Sequence, residues 1–372
     1  TPVPHLLMGD RSRGSQENYD GSLLLEGRLV DVIYAPGEDT KKRSERWQKA
    51  RLALEAFYEE FDLQCVDAGL AKARPDTYYA FLQADGDGMG ELINAQAERG
   101  YKQHRAFSQK LSNFAMLARE IVEKHRGALV YAGGDDVVAL LPLDTVLKCA
   151  SELAEAFRTI LQDFALVDAK GQKRMPSLSA GVAIAHHLES LQQVRQLAKQ
   201  AEDRAKCLEG KNALAITLSK RSGEDYGIAG HWDDLDISLQ RLVDFAARKA
   251  IPTGTAYELR DLLLRLGVLG EETHTSSQRQ VNSPYTEVVE RDALRIIKRK
   301  LSVPRGKFPP EQIEEITRFF KARLGIEQPP HSDRGHIRSV ALSELINELI
   351  VAQVLADAKE VATPTKKERS QV

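Results

Sequence analysis

The stretch Leu129-Val130-Tyr131-Ala132-Gly133-Gly134-Asp135-Asp136-Val137-Val138-Ala139-Leu140-Leu141 consists of two apolar runs with a Gly-Gly-Asp-Asp turn between them. The prediction of the fold starts from this pattern. Each run is typical of a short buried strand. A Gly-Gly pair between strands predicts a tight hairpin, because glycine reaches positive φ without a Cβ clash. The two adjacent carboxylates at its tip repel each other. A divalent cation such as Mg²⁺, which prefers oxygen ligands, would relieve that repulsion. The alternative is an acidic, solvated turn.

The order of the predicted elements brings a third carboxylate to the hairpin. Residues 78–83 read as a strand that ends in Ala84-Asp85-Gly86, and an amphipathic helix follows. Strand, helix and hairpin in this order predict a split βαβ unit, in which the third strand lies antiparallel between the first two. Asp85 then lies at the same sheet edge as Asp135 and Asp136. Three such carboxylates suit two divalent ions about 3.5–4 Å apart, which is a site for phosphoryl or nucleotidyl transfer.

The composition is that of a globular protein and not of a free-standing nucleic-acid binder. The 372 residues are 42% hydrophobic and 28% charged, and the formal net charge is -2. The three cysteines, an odd number with no Cys-x-x-Cys spacing, favour a reducing, cytoplasmic setting. No apolar run approaches the ~20 residues that cross a bilayer, so no membrane association is expected, and no signal peptide is visible. The chain starts at Thr1, which suggests the back portion of a longer polypeptide.

Hydrophobic periodicity predicts an α+β fold with a helical tail. Helices are expected at 41–62, 145–164 and 190–207, with further strands at 177–185 and 213–218. Together with the hairpin these elements make a ferredoxin-like α+β sandwich with additions. After Ser219 a loop is expected at 222–227, and helices follow. Three domains are predicted, at 1–75, 76–225 and 226–372. They are a connector or the remnant of a preceding domain, the α+β domain with its Gly-Gly-Asp-Asp hairpin, and an all-helical C-terminal domain.

Four motifs in the right order resemble the palm of the large subunit of type III CRISPR effector complexes. They are Ala84-Asp85-Gly86-Asp87-Gly88-Met89-Gly90, Gly133-Gly134-Asp135-Asp136, Ser179-Ala180-Gly181-Val182-Ala183, and Ala205-Lys206 followed by Gly210-Lys211-Asn212. Diguanylate cyclases share this fold, but they usually have Glu-Phe where this chain has Asp136-Val137. The helical tail resembles that of the Cmr-type (III-B) subunit.

The resemblance implies conversion of ATP to 3′–5′ cyclic oligoadenylates with release of pyrophosphate. It implies that Asp85, Asp135 and Asp136 are catalytic and bind Mg²⁺ or Mn²⁺. It also implies partners, namely the backbone subunits, the guide RNA and the target RNA of an effector complex. The residues expected to contact the metal or the nucleotide are Gly86, Gly133, Gly134, Ser179, Gly181, Lys206 and Lys211.

Several of these residues have plainer alternatives. Gly133 and Gly134 also suit a bare turn, Ser179 a strand serine, and Lys206 a solvated helix lysine. Asp87 is expected to be a loop acid or to cap the following helix, and not to bind metal. The sequence has no His-Asp dipeptide, so the family's N-terminal nuclease domain is expected to be absent, and the family's zinc-binding cysteines are missing. A stand-alone cyclic-dinucleotide synthase and a catalytically silent scaffold remain as alternative functions.

Two features of the tail predict different roles. An apolar stripe is expected to close a helical bundle, and a basic cluster on another helix is expected to face a ribonucleoprotein partner. The stripe is Leu342, Leu345, Ile346, Leu349 and Ile350, and the cluster is Arg295, Lys298, Arg299 and Lys300.

Overall fold

The computed structural model describes residues 24–26, 29, 40–67, 74, 76–167, 173–221, 223–266, 284–302, 308–327 and 338–362. The chain forms two compact units. The described residues of 79–185 and 191–359 belong to one, and those of 1–78, 186–190 and 360–372 belong to the other. Residues 1–20, predicted to be a loop or a frayed start, and the charged end from Thr363, predicted to be disordered, lie outside the described residues.

The described elements alternate between strands and helices up to residue 231 and are helical afterwards. The helices are α1 (Thr40–Asp67), α2 (Met89–Glu98), α3 (Tyr101–Lys124), α4 (Val146–Ile160), α5 (Leu191–Lys206), α6 (Leu235–Ala247), α7 (Gly254–Arg265), α8 (Pro284–Ser302), α9 (Pro310–Arg323) and α10 (Leu342–Ala362). The strands are β1 (Tyr78–Gly86), β2 (Ala128–Gly133), β3 (Asp136–Leu141), β4 (Leu166–Val167), β5 (Lys173–Arg174), β6 (Leu178–His186), β7 (Ala213–Leu218) and β8 (Tyr226–His231).

Six strands form one sheet in the order β2-β3-β1-β6-β7-β8, and β4 and β5 form a separate two-stranded ribbon. Strand β3 lies between β1 and β2 and is antiparallel to both, whereas β6 and β7 are parallel. This is the split βαβ arrangement, so the predicted α+β palm is confirmed. The order also places the C-terminal end of β1 beside the β2–β3 turn.

The sheet extends further along the chain than the sequence analysis expected. Strand β8 pairs antiparallel with β7 from Ala213 opposite His231 to Leu218 opposite Tyr226. The predicted loop at 222–227 is therefore wrong for its last two residues. Alternate residues of β8 are buried, which is the pattern of a half-covered strand, but six residues containing two glycines gave a weak signal. The domain boundary near residue 225 stays a prediction.

Helix α5 covers the sheet over β1 and β6, and small residues let it approach closely. Phe81 packs with Ala183 and Ala185 of β6 and with Val194 and Ala198 of α5 in one buried cluster. Alanine at three of these five positions reduces the distance between the helix and the sheet. The close packing fixes where the C-terminal end of α5 lies relative to the end of β1.

The helices after β8 bury their apolar faces within the same compact unit. The predicted stripe from Leu342 to Ile350 on α10 is buried, with exposures from 0% to 7%, which agrees with the expected bundle. Arg323 of α9 is also buried and forms ion pairs with Glu348 of α10 and, at 3.0 Å, with Asp234. Among the described helices, none is long and apolar enough to span a bilayer.

Candidate active site at the Gly-Gly-Asp-Asp hairpin

Strand register brings Asp85 and Asp136 together. The last paired residues of β1 and β3 are Ala84 and Val137, so the next residue outward on β1 is Asp85 and on β3 is Asp136. Residues directly opposite in an antiparallel pair point to the same face, and Gly133 pairs with Asp136 on the other side. Asp85, Asp136 and Gly133 therefore share one face at one sheet edge, as the sequence predicted.

Asp135, at the hairpin tip, lies against the end of β1. A Cβ atom added to Gly86 would lie 3.0 Å from the Cβ atom of Asp135 and 2.6 Å from Cγ of Met89. A side chain at position 86 would therefore force Met89 or Asp135 to shift, because the end of β1 and the hairpin tip approach closely here. Asp135 is partly buried, and within the described residues its carboxylate has no side-chain partner. Burial raises the pKa of Asp135, and the negative charge of Asp136 raises it as well.

Lys206 extends from the end of α5 to the same edge. Its ammonium forms an ion pair with Asp85, and it lies 3.2 Å from Oε1 of Glu202. The side chain is 21% exposed, so the alternative of a solvated helix lysine is wrong. Burial and the nearby ammonium of Lys211 lower the pKa of Lys206 to about 8, whereas the ion pairs with Asp85 and Glu202 favour its charged form.

Lys211 belongs to a loop with unusual backbone geometry. Gly210, Lys211 and Asn212 have φ values of 81°, 54° and 49°, which lie in the left-handed region that non-glycine residues rarely adopt. The ring of His231 donates a hydrogen bond of 2.8 Å from Nδ1 to the carbonyl of Lys211. The loop is therefore fixed to β8, and it holds Lys211 close enough to influence the pKa of Lys206.

Ser179 and Asp87 form a buried network instead of contacting a nucleotide. The hydroxyl of Ser179, which is fully buried, donates to Asp87 at 2.8 Å and accepts from the Ala213 amide at 3.3 Å. Asp87 also accepts from the Ser177 hydroxyl at 2.7 Å and from the Asn212 amide at 3.0 Å. The predicted base or ribose contact of Ser179 is contradicted, because no surface of Ser179 is accessible.

Asp87 does not have its predicted capping role either. Helix α2 begins after Gly88, and no side chain caps its first turn. The Asp87 side chain turns inward because donors from Ser177, Ser179 and Asn212 converge on it. The expectation that Asp87 is not a metal ligand stays a prediction, and its buried position is consistent with it.

The glycines of the candidate site divide into two kinds. Gly181 is a packing residue, because an added Cβ would overlap the backbone of α5 at Ala198 and Glu202, and its expected contact with a nucleotide stays a prediction. The hydroxyl of Tyr131 covers the position of a Cβ at Gly133. Gly134, by contrast, has φ of +72° and nothing within 4 Å of an added Cβ, so it forms the turn and leaves its surroundings open.

The oxygen ligands at this edge suit a cation that arrives with a nucleotide. No group of three His, Cys, Asp or Glu side chains in the described part of the chain is spaced to hold a metal ion by itself. Asp85, Asp135 and Asp136 nevertheless lie at one edge, and all offer hard oxygen. Mg²⁺ is commonly held by one or two carboxylates, water and substrate phosphates, and not by an all-protein cage. The residues fit that mode of binding.

The sequence reasoning missed one residue of the site, Glu202. This glutamate is fully buried on α5, four residues before Lys206, and it contacts the Lys206 ammonium. The i, i+4 spacing of the two residues was visible in the sequence and would have predicted their contact. The burial of Glu202 was not visible, because it depends on the packing of α5 over Gly181.

Comparison with known proteins identifies the segment that carries this site. The family described as "Cas10/Cmr2, second palm domain" matches residues 78–215. A "CRISPR system Cmr subunit Cmr2" from Pyrococcus furiosus is 34% identical over 183 residues, which cover 43% of this chain and 20% of that protein. A second, from Saccharolobus solfataricus, is 41% identical over 54 residues, which cover 14% of this chain and 5% of that protein. The chain thus spans only a small part of these relatives.

Among solved structures, the Type III-B Cmr-beta complex bound to cognate target RNA contains a similar chain. The identity is 14% and the TM-score 0.48, and the match covers 90% of this chain and 46% of the other. The family match rests on the sequence and spans the hairpin, the end of β1 and Lys206. Residues 78–215 are therefore similar to the second palm domain of Cas10/Cmr2 proteins.

Proposed function

We propose that this chain is the cyclase subunit of a type III CRISPR effector complex, and that it converts ATP to cyclic oligoadenylates when target RNA pairs with the guide RNA. The observation that carries the proposal is the convergence of Asp85, Asp135 and Asp136 at one sheet edge beside Lys206. Support comes from the palm match over 78–215 and from two relatives that are named as CRISPR subunits.

The proposed reaction is a nucleotidyl transfer. The 3′-oxygen of one ATP attacks the α-phosphorus of another, the bond to the β-phosphate oxygen breaks, pyrophosphate leaves, and the proton of the 3′-hydroxyl passes to solvent. A bound divalent cation would lower the pKa of the 3′-hydroxyl and neutralise negative charge on the triphosphate. Asp85, Asp135 and Asp136 would hold Mg²⁺ or Mn²⁺.

Other groups of the chain bind and orient the substrate. Lys206 and Lys211 supply positive charge for triphosphate oxygens. The open turn at Gly134 lets a phosphate or a base approach the backbone. No other acid or base is assigned a proton-transfer role, so positioning and charge neutralisation account for most of the proposed rate.

The experiment compares the full chain with the double variant Asp135→Ala/Asp136→Ala. Each protein is incubated with labelled ATP and Mg²⁺ or Mn²⁺, with and without the partner subunits, guide RNA and target RNA, and the products are separated by chromatography. We expect cyclic oligoadenylates only from the unmodified chain, while the circular dichroism spectra and the melting temperatures stay similar. Asp163→Asn, an exposed acid after α4, is the matched control and should keep full activity.

The outcomes separate the alternative functions. Undiminished turnover in the double variant would show that the two aspartates are not the metal ligands. Cyclic dinucleotides as the product, made without target RNA, would indicate a stand-alone synthase. Absence of metal-dependent turnover in the unmodified chain within its complex would indicate a silent scaffold.

A further inference from the structure

Glu202 is a buried carboxylate with incomplete hydrogen bonding. It is 0% exposed on α5, and its backbone nitrogen lies directly over Gly181. Its Oε1 accepts from Lys199 at 2.9 Å and lies 3.2 Å from the Lys206 ammonium, while its Oε2 is buried without a hydrogen-bond partner. A buried carboxylate with one oxygen that lacks a hydrogen bond lowers the stability of the fold. A glutamate at this position is therefore better explained by a functional role.

Glu202 shares Lys206 with a proposed metal ligand. The ammonium of Lys206 contacts Asp85, whose side chain is 28% exposed, and also Glu202, which is fully buried. Asp85 has an accessible side that a metal–nucleotide complex can reach, and Glu202 does not. The two carboxylates therefore contact the same ammonium, one at the accessible edge of the sheet and one in the core.

We propose that Glu202 is a positioning residue, which keeps the Lys206 ammonium at the sheet edge when Asp85 is taken by the metal–nucleotide complex. The inference rests on the proposed function of this site. Lys206 then exchanges the Asp85 carboxylate for triphosphate oxygens while it retains Glu202. An ammonium has three donors, so it can hold both partners at once.

Physical chemistry favours an anchor of this kind. A lysine side chain has many rotamers, and without a buried partner the Lys206 ammonium would either stay on Asp85 or move into solvent. Glu202 is fixed by the contact of its backbone with Gly181 and by the hydrogen bond from Lys199. It can thus restrict the ammonium to one place with little further loss of conformational entropy.

The test measures nucleotide binding and not turnover. Titration calorimetry with Mg²⁺ and a non-hydrolysable ATP analogue is carried out on the full chain and on Glu202→Gln. We expect binding about 10-fold weaker in Glu202→Gln, which corresponds to the loss of one charge-assisted hydrogen bond. Asp203→Asn is the matched control: it removes the same charge at the next position of α5, where the side chain is 60% exposed and, among the described residues, forms an ion pair with Lys199 and not with Lys206. It should bind as the unmodified chain does.

A double-mutant cycle distinguishes positioning of Lys206 from a general structural role. In the Lys206→Gln background, Glu202→Gln should weaken binding no further, because the group that it positions is gone. If Glu202→Gln does not fold, Glu202→Asp is used in its place. This variant keeps the charge but withdraws the carboxylate by one methylene, and we expect the same loss of nucleotide affinity.

Each outcome decides one question. Equal binding by Glu202→Gln and Asp203→Asn would overturn the positioning role, and so would an undiminished effect of Glu202→Gln in the Lys206→Gln background. If the unmodified chain binds no metal–nucleotide complex at all, the proposed function fails and the positioning role fails with it. Binding by the unmodified chain, together with an effect of Glu202→Gln that depends on Lys206, supports both.

Discussion

Asp87 and Ser179 lie 92 positions apart in the chain, and the Ser179 hydroxyl donates a hydrogen bond of 2.8 Å to the Asp87 carboxylate. With Ser177 and Asn212, this contact ties the end of β1 to the start of β6 and to the loop before β7. Asp85 lies two residues before Asp87. The buried network therefore fixes the strand end that carries a proposed metal ligand.

Loss of this network should destabilise the fold. Asp87→Ala leaves the Ser179 hydroxyl and the Asn212 amide without their acceptor, and we expect a loss of about 3 kcal/mol in the free energy of unfolding. Urea denaturation measures it. Asp136→Ala, at an exposed carboxylate of the hairpin, should change the same quantity by less than about 0.5 kcal/mol. Equal losses in the two variants would contradict a structural role for Asp87.

Gly181→Ala should separate α5 from the sheet. The added methyl group would overlap the backbone at Ala198 and Glu202, so we expect a loss of about 3 kcal/mol in the free energy of unfolding. Gly90→Ala is the matched control. Gly90 is exposed on α2 with nothing within 4 Å of an added Cβ, and alanine there should stabilise by about 0.5–1 kcal/mol. A tolerated Gly181→Ala would show that α5 can move away at little cost.

Glu344 of α10 should make stability depend on pH. Burial raises its pKa to about 7 from an ordinary 4.5, the carboxylates of Glu348 and Asp234 act in the same direction, and Arg323 and Arg338 oppose them. Between pH about 4.5 and pH about 7 the folded state binds more protons than the unfolded state, because Glu344 is still protonated in the folded state only. The contribution of Glu344 to the free energy of unfolding is therefore fully present below pH about 4.5, and it is lost as the pH rises through about 7.

Glu344→Gln stays neutral and removes this dependence. At pH 5 the variant and the unmodified chain should have similar stability, and at pH 8.5 the variant should be more stable by about 2 kcal/mol. Urea denaturation at both pH values is the measurement. Glu311→Gln, at an exposed position in the first turn of α9, is the control and should follow the unmodified chain. The same decline with pH in Glu344→Gln would assign the effect to another group.

The basic cluster of α8 should divide into a structural part and a partner-facing part. Arg299 forms an ion pair with Glu258 of α7, and Lys300 lies 2.7 Å from the same carboxylate. Arg295 and Lys298 are exposed, and within the part of the chain that the structure describes the ion-pair contact of Arg295 is one of 3.4 Å with Asp292 on its own helix. The prediction that all four residues face a partner is therefore retained for Arg295 and Lys298 alone.

Charge reversal tests this division. Arg295→Glu/Lys298→Glu should weaken assembly with the partner subunits and RNA while the melting temperature stays unchanged. Arg299→Glu/Lys300→Glu should lower the free energy of unfolding by about 1 kcal/mol, because two partly exposed ion pairs are lost and replaced by like charges. Assembly is measured by size-exclusion chromatography. Assembly that tolerates the first variant would place the contact elsewhere.

The sequence alone determined the order and type of the elements in the palm, because these depend on local patterns. Alternating and continuous apolar runs marked the strands, helical spacing marked α3 and α5, and the Gly-Gly pair marked the hairpin. The short, right-handed connections of a split βαβ unit then predict that Asp85 lies beside Asp135 and Asp136. The observed strand register agrees with that placement. Strand β8 was missed because a short, glycine-containing edge strand has little local signal.

The tertiary structure decided what each side chain near that edge does. Ser179 and Gly181 belong to a motif that resembles a nucleotide contact, yet one is buried against Asp87 and the other lies beneath α5. Glu202 and Asp87 owe their roles to partners that the fold brings to them from other elements. Such roles depend on which donors and acceptors meet after water is excluded, and that is set by packing between segments far apart in the chain. The sequence thus determined where the carboxylates gather, and only the packing of α5 and of the loop before β7 decided which groups face the site and which support it.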